Sequence, residues 1–285
     1  MPHFSWLTKQ FGLTTNDARA KRNEALWSSI KFGHMNVATW LVQHFCLTAE
    51  DVRTCDNNLL EQICKKSDVN FAQWFVTHFA LTAEDVRAGN NKALKATCKM
   101  SDLPFVQWFV PHFGFTANDM RAEDNIVIQL SFRNQICVTQ WLIEKFGLTA
   151  QDVRANGNAL IRDFFDVSTR YRFQDLQWFI THFGLTIDDA RTNDALFFSV
   201  QTGRLSNVQW MFNYFRFTVE DVRANNNRVL RQCYRDNNLL ILQWLTKQFD
   251  LRNEVRSCYD RQLQQDLWRQ RFTLIWTKRH FGFTE

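Results

Sequence analysis

Turn-forming residues are scarce in this chain, which holds 9 Gly and 3 Pro among 285 residues. So few breakers exclude a fold of many tight hairpins and predict helices joined by short connections. No apolar run approaches the roughly 18 residues of a membrane-spanning helix. The start, M-P-H-F-S-W-L-T-K-Q, carries no signal-peptide core. The seven cysteines include no C-x-x-C pair, and an odd scattered set fits neither a disulfide framework nor a zinc site. These absences predict an intracellular, cytoplasmic protein in a reducing compartment, without membrane contact. There is no G-x-S-x-G elbow, phosphate loop or H-E-x-x-H helix. The chain is therefore expected to be no enzyme, with no catalytic or metal residues, no cofactor and no small-molecule substrate. The net charge of +5 is spread thinly, and only the stretch after Leu251 leans basic. A nucleic-acid binder shows a denser stripe, so nucleic acid is not the expected partner.

Aromatic residues, by contrast, are plentiful, with 27 Phe and 11 Trp. Nine of the tryptophans are periodic: Trp6, Trp40, Trp74, Trp108, Trp141, Trp178, Trp210, Trp244 and Trp276. Their successive gaps are 34, 34, 34, 33, 37, 32, 34 and 32 residues. Such a period marks a helical solenoid. The expectation is one all-α domain over residues 1–285, of about eight units with partial ones at both ends.

Each unit reads as three pieces. A first helix is opened by N-x-x-L/I, as in Asn23 with Leu26 or Asn91 with Leu94, where Asn is expected to act as the N-cap. A second helix carries Trp, with bulky residues at −3, 0, +1, +4 and +5 from it. That spacing places Trp on an apolar stripe facing the core. Pro111 inside one such helix is expected to kink or shorten it. The link G-L-T-x-x-D-V-R follows, with Gly at a left-handed C-cap and Thr three before Asp, the spacing of a capping box. A third, short helix is expected there.

A family resemblance rests on these residues. G-H-M-N-V-A-T-W-L-V-Q-H-F at 33–45 and G-R-L-S-N-V-Q-W-M at 203–211 resemble the second-helix segment of ankyrin repeats. N-E-A-L at 23–26 stands where ankyrin repeats carry T-P-L-H. The units are most similar to the divergent ankyrin-type repeats of large DNA viruses of amoebae. No unit contains T-P-L-H, and the hairpin between ankyrin units is replaced by the capped T-x-x-D-V-R helix. The resemblance implies a protein–protein interaction scaffold, a viral or host-directed adaptor acting in the host cytoplasm. The alternatives are a structural component of a virion or other assembly, and nucleic-acid binding through an arginine ladder and the basic C-terminal stretch.

Three recurring polar patterns have ordinary structural explanations. The His four residues after Trp (His44, His78, His112, His182, His280) is replaced elsewhere by Gln10, Lys145, Tyr214 or Gln248. That position wants a long side chain with a polar tip. The Asp/Arg pair, such as Asp85 with Arg87, lies two apart on a helix. Its members cannot face each other, so Asp is expected to cap its own helix while Arg reaches the adjoining unit. Stacked aromatics are read as core. The partner surface is placed instead on residues that vary between units. These are Lys21 and Arg22 in the link, and Lys95, Arg162, Phe197, Phe198 and Arg231 on the first helix. The insertion near 166–175 adds Arg170, Tyr171 and Arg172 as a second handle.

Overall fold

A Thr-x-x-Asp pair starts each of seven repeats. In all seven, from Thr14 with Asp17 to Thr218 with Asp221, the Thr backbone N–H donates to Asp Oδ2 at 2.7–2.8 Å. The bond pairs the backbone N–H at the helix entrance, and a short right-handed segment follows. The computed structural model describes residues 2–53, 58–133, 135–167, 173–264 and 271–283. The described residues form nineteen α-helices and no strand.

Contacts divide the chain into two compact units, Met1–Leu148 and Thr149–Glu285. The first contains α1 (Pro2–Phe11), α2 (Thr15–Lys31), α3 (Met35–His44), α4 (Ala49–Arg53) and α5 (Asn58–Lys66). It continues with α6 (Val69–His78), α7 (Ala83–Met100), α8 (Leu103–His112), α9 (Ala117–Phe132) and α10 (Ile136–Phe146). Here α2, α5, α7 and α9 pack side by side as one layer, while α6, α8 and α10 form a second.

The other unit contains α11 (Ala150–Val167), α12 (Phe173–Phe183), α13 (Ile187–Thr192), α14 (Ala195–Gln201) and α15 (Leu205–Phe215). After these come α16 (Val219–Arg235), α17 (Leu239–Gln248), α18 (Arg252–Gln264) and α19 (Arg271–Phe281). It has the same two layers, α11, α14, α16 and α18 against α15, α17 and α19. Both units are thus all-α repeats of helix pairs that pack on their neighbours in sequence.

The link takes a form that the sequence reading missed. After Arg19, Ala20 is extended, and Lys21, Arg22 and Asn23 adopt φ of 50°, 59° and 59°. The same three-residue left-handed turn recurs at 89–91, 123–125, 156–158 and 225–227. It joins the short capped segment to the first helix proper, so α2, α7, α9, α11 and α16 are each two right-handed helices around a left-handed joint. Asn closes all five turns, because Asn and Gly tolerate this conformation best. The expected N-cap role of Asn is therefore overturned. Asn23 is buried, and its Nδ2 donates to the Asp51 carbonyl of the next repeat at 2.7 Å.

The second helices end as the glycines suggest. Gly12, Gly114, Gly147, Gly184 and Gly282 all have φ between 56° and 66°, and Cys46, Ala80 and Arg216 adopt the same conformation without being glycine. The next residue closes a Schellman motif, as in Leu81 N–H to Val76 O at 3.0 Å and Leu185 N–H to Ile180 O at 3.0 Å. Pro111 does not shorten its helix: α8 has ten residues, as α6 does. Pro111 falls two residues before the C-cap Phe113, where little helix remains to disrupt.

The core also differs from the expected stripe. Of the expected positions, −3, +1 and +5 are buried, as in Phe71, Phe75 and Phe79 or Phe105, Phe109 and Phe113. Positions −2 and +2 join them in place of 0 and +4, as in Ala72 and Val76 or Val106 and Val110. The N-x-x-L/I residues Leu26, Leu60, Leu94, Ile128, Ile161, Leu196 and Leu230 face them from the first helices and are buried. The tryptophans lie at the edge. Trp40, Trp74, Trp108, Trp141, Trp178, Trp210, Trp244 and Trp276 are half-buried, and Trp6 is 60% exposed.

Candidate interaction surface

Three rows of side chains repeat along each unit, and their geometry decides what remains available to a partner. The first is the arginine row. Arg19 donates through Nε to Asp51 Oδ1 at 2.6 Å and through Nη2 to Oδ2 at 3.0 Å. Arg53 with Asp85, Arg154 with Asp189 and Arg191 with Asp221 repeat this bidentate pair between consecutive repeats. Arg87 reaches the carbonyls of Phe113 and Gly114 instead, with Asp119 3.7 Å away. Arg223 turns to Glu254, where the repeat pattern loosens.

Each ladder Asp thus serves two repeats at once, capping its own and receiving the arginine of the one before. The Arg53 guanidinium, together with the Thr82 donors, holds Asp85 at a pKa of about 2 despite its partial burial. Asp189 is lowered in the same way by Arg154 and Thr186. Burial works to raise Asp51 and Asp221, but the Arg and Thr hydrogen bonds outweigh it and both stay below the usual carboxylate range. These guanidinium forks are filled by carboxylates of the same chain.

The second row is the left-handed turns, whose first two residues are exposed while the closing Asn is turned inward. Lys21 and Arg22 sit on the first of them, with Lys21 Nζ 3.3 Å from Glu24. In three repeats the residue four after the turn-closing Asn supports the turn. Gln129 donates to Asp124 O at 2.8 Å, Arg162 to Gly157 O at 3.0 Å and Arg231 to Asn225 O at 3.1 Å. Lys95 lies in the same phase and pairs with both carboxylate oxygens of Glu123 on the next turn, at 2.7 Å. Arg162, Arg231 and Lys95 are therefore brought to the turn surface, as expected, but as its supports. Phe197 and Phe198 are half-buried and meet edge to face at 5.5 Å. Arg170, Tyr171 and Arg172 lie outside the described residues.

The third row joins the periodic Trp to the His four residues later, a pattern visible in the sequence without its stacking. Trp40, Trp74, Trp108, Trp178 and Trp276 each stack on the His four residues later, with ring centroids 4.6–5.4 Å apart. Trp210 stacks on Tyr214 in the same way, at 5.0 Å. The histidines are exposed and the indoles half-exposed, so the second helices carry an aromatic row at the surface rather than in the core. Among the described residues no group of three metal-ligating side chains converges, and no helix is long and apolar enough to cross a membrane.

The turns had a sequence signal. G-N-N, N-G-N and N-N-N are built of the residues that occupy left-handed backbone most readily, whereas E-D-N carries the signal in part and K-R-N only in its Asn. The chain matches no family model, no curated protein and no solved structure. The rows described above are therefore the basis for a functional reading.

Proposed function

We propose that the chain is a non-enzymatic, ankyrin-like repeat scaffold that binds a protein partner across its left-handed turns. One observation carries this reading. Five turns share one backbone but display different pairs ahead of the closing Asn: Lys21–Arg22, Gly89–Asn90, Glu123–Asp124, Asn156–Gly157 and Asn225–Asn226. Fixed geometry with variable chemistry suits recognition, because the stack needs the turn and leaves its side chains free to differ. A viral or host-directed adaptor in the cytoplasm is the role we favour.

The test is capture by the immobilised full chain from cell extract, compared with variants that keep the fold. Lys21→Glu with Arg22→Glu, and separately Asn225→Asp with Asn226→Asp, should reduce retention of a specific protein at least tenfold. Trp108→Ala should leave it unchanged. Retention that survives both turn variants sinks the reading.

The half-exposed Trp–His row favours a second role, as a structural component of an assembly in which the rows pack together. Concentration-dependent association abolished by Trp74→Ala or Trp108→Ala would support it over the first. The filled guanidinium forks of the ladder argue against phosphate binding there.

A further inference from the structure

The repeat between α13 and α14 is short. Only Thr192 separates Arg191 from Asn193, whereas Ala20, Lys21 and Arg22 separate Arg19 from Asn23. The two missing residues belong to the left-handed turn. Asp194 alone is left-handed here, and Asn193 folds back to donate to its own repeat at Asp189 O, 2.7 Å away. Where the turn is lost, an open cavity of about 200 Å³ lies between this shortened link and the next repeat, lined in part by Leu196, Phe197, Phe217, Ala224 and Val229.

The position four after Asn supports a turn carbonyl through Gln129, Arg162 and Arg231; here it is Phe197, and in the first repeat, which keeps its turn, it is Trp27. Phe197 adds an aromatic ring to the lining of the cavity. The charged groups beside the cavity are matched within the chain. Arg191 holds Asp221 at 2.6 Å, and Arg228 holds Asp194 at 2.7 Å while its guanidinium carbon lies 3.8 Å from the Phe197 ring centroid. With each cation on an anion, the site offers no net charge to a ligand. Its lining includes two phenyl rings, those of Phe197 and Phe217.

We infer that this cavity receives an uncharged aromatic side chain of the partner protein. The size agrees, since an engineered cavity of roughly 150 Å³ accommodates benzene. Aromatic side chains in desolvated pockets are also the usual energetic centres of interfaces. The inference rests on the reading of the chain as a recognition scaffold and adds a single anchoring point to it.

The test needs no partner. Indole and N-acetyl-tryptophanamide are titrated into the full chain and followed by saturation-transfer NMR. Both should bind, and Ala224→Phe, which places a ring at the exposed rim, should weaken both at least tenfold. Ala155→Phe places the same ring ahead of another left-handed turn, outside the cavity lining, and should change nothing. Circular dichroism establishes that both variants fold. Binding of neither probe, or equal binding to wild type and Ala224→Phe, overturns the site while leaving turn-dependent capture of a partner intact. Binding of indole without N-acetyl-tryptophanamide overturns the side-chain assignment, because a ring attached to a backbone is then excluded. Loss of turn-dependent capture with retained probe binding would instead remove the scaffold reading alone.

Discussion

Asp85 accepts hydrogen bonds from two repeats at once. Thr82 N–H meets its Oδ2 at 2.8 Å, closing the helix that Asp85 itself begins. Arg53, 32 residues earlier, meets Oδ1 at 2.6 Å and Oδ2 at 3.0 Å. One carboxylate therefore ends the exposure of a helix terminus and ties that helix to its predecessor. Asp51, Asp189 and Asp221 occupy the same position in their repeats.

Removing that carboxylate should cost more than removing its partner. Asp85→Ala loses both the cap and the ion pair, and should destabilise by about 2 kcal/mol. Arg53→Ala leaves the cap in place, and its guanidinium is substantially exposed, so a smaller loss than that of Asp85→Ala is expected. Urea unfolding of the two variants and the wild type measures the difference. Equal losses would show that the cap contributes nothing.

The ladder should also make stability depend on acid. Asp85 has a folded pKa of about 2 against an ordinary value of 3.8. A lowered folded pKa means that the contribution is complete above about pH 4 and disappears as pH falls through the folded value. Asp51, Asp189 and Asp221 are lowered in the same direction, so their losses accumulate in the same window. Asp85 should contribute on the order of 1 kcal/mol after allowance for the exposed arginine, and the other three add in the same direction. Stability measured in a pH series should fall between about pH 4 and pH 2, and Asp85→Asn should make the fall shallower. A flat profile over that range would contradict the ladder.

Phe and Trp should part company on truncation. Phe109 is 1% exposed and Trp108 is half-buried. Phe109→Ala is expected to cost about 3–5 kcal/mol through lost burial and a cavity. Trp108→Ala, at the edge, should cost about 1–2 kcal/mol. Thermal or urea unfolding that ranks Trp108 above Phe109 would return the indole to the core.

Ala80 is an opportunity for stabilisation. It holds the left-handed position after Phe79, with φ of 45°, where Gly114, Gly147 and Gly184 stand in other repeats. Ala80→Gly relieves that backbone, against the greater freedom of glycine in the unfolded chain. A net gain of about 0.5–1 kcal/mol is expected, visible as a raised melting temperature.

The cysteines should separate by reactivity. Cys46 and Cys137 are exposed, whereas Cys64, Cys98 and Cys233 are buried. Burial pushes the Cys64 thiol up to about 12, and those of Cys98 and Cys233 are raised as well. A thiol-specific reagent applied to the native protein should modify Cys46 and Cys137 first. Peptide mapping by mass spectrometry reads the order, and early labelling of Cys98 would contradict its burial.

What could be read from the sequence was local. Thr82 and Asp85 stand three apart, a spacing with one common structural meaning, and Leu94 follows Asn91 at helical period. The placement of Trp74 was harder. Trp74 and Phe75 are adjacent on the helix and both large and apolar, so periodicity defines an arc without choosing which of them faces inward. Packing against the first-helix layer chooses Phe75. The link misled for a different reason. Asn is favoured both at an N-cap and in left-handed backbone, and only the fold shows that Asn23 and Asn91 take the second option. The shortened link at Thr192 was visible as two missing residues, but the cavity beside it also needs Phe217 and Val229 of the next repeat.

The spacing of the ladder also bears on how the chain folds. The pairs Arg19–Asp51, Arg53–Asp85, Arg154–Asp189 and Arg191–Asp221 close loops of 32, 32, 35 and 30 residues. Closure entropy rises only with the logarithm of loop length, so every such bond is formed at nearly the same entropic cost. A folding nucleus can therefore start at any pair of neighbouring repeats within a unit and grow by adding the next. None of these bonds has to wait for the chain termini to meet.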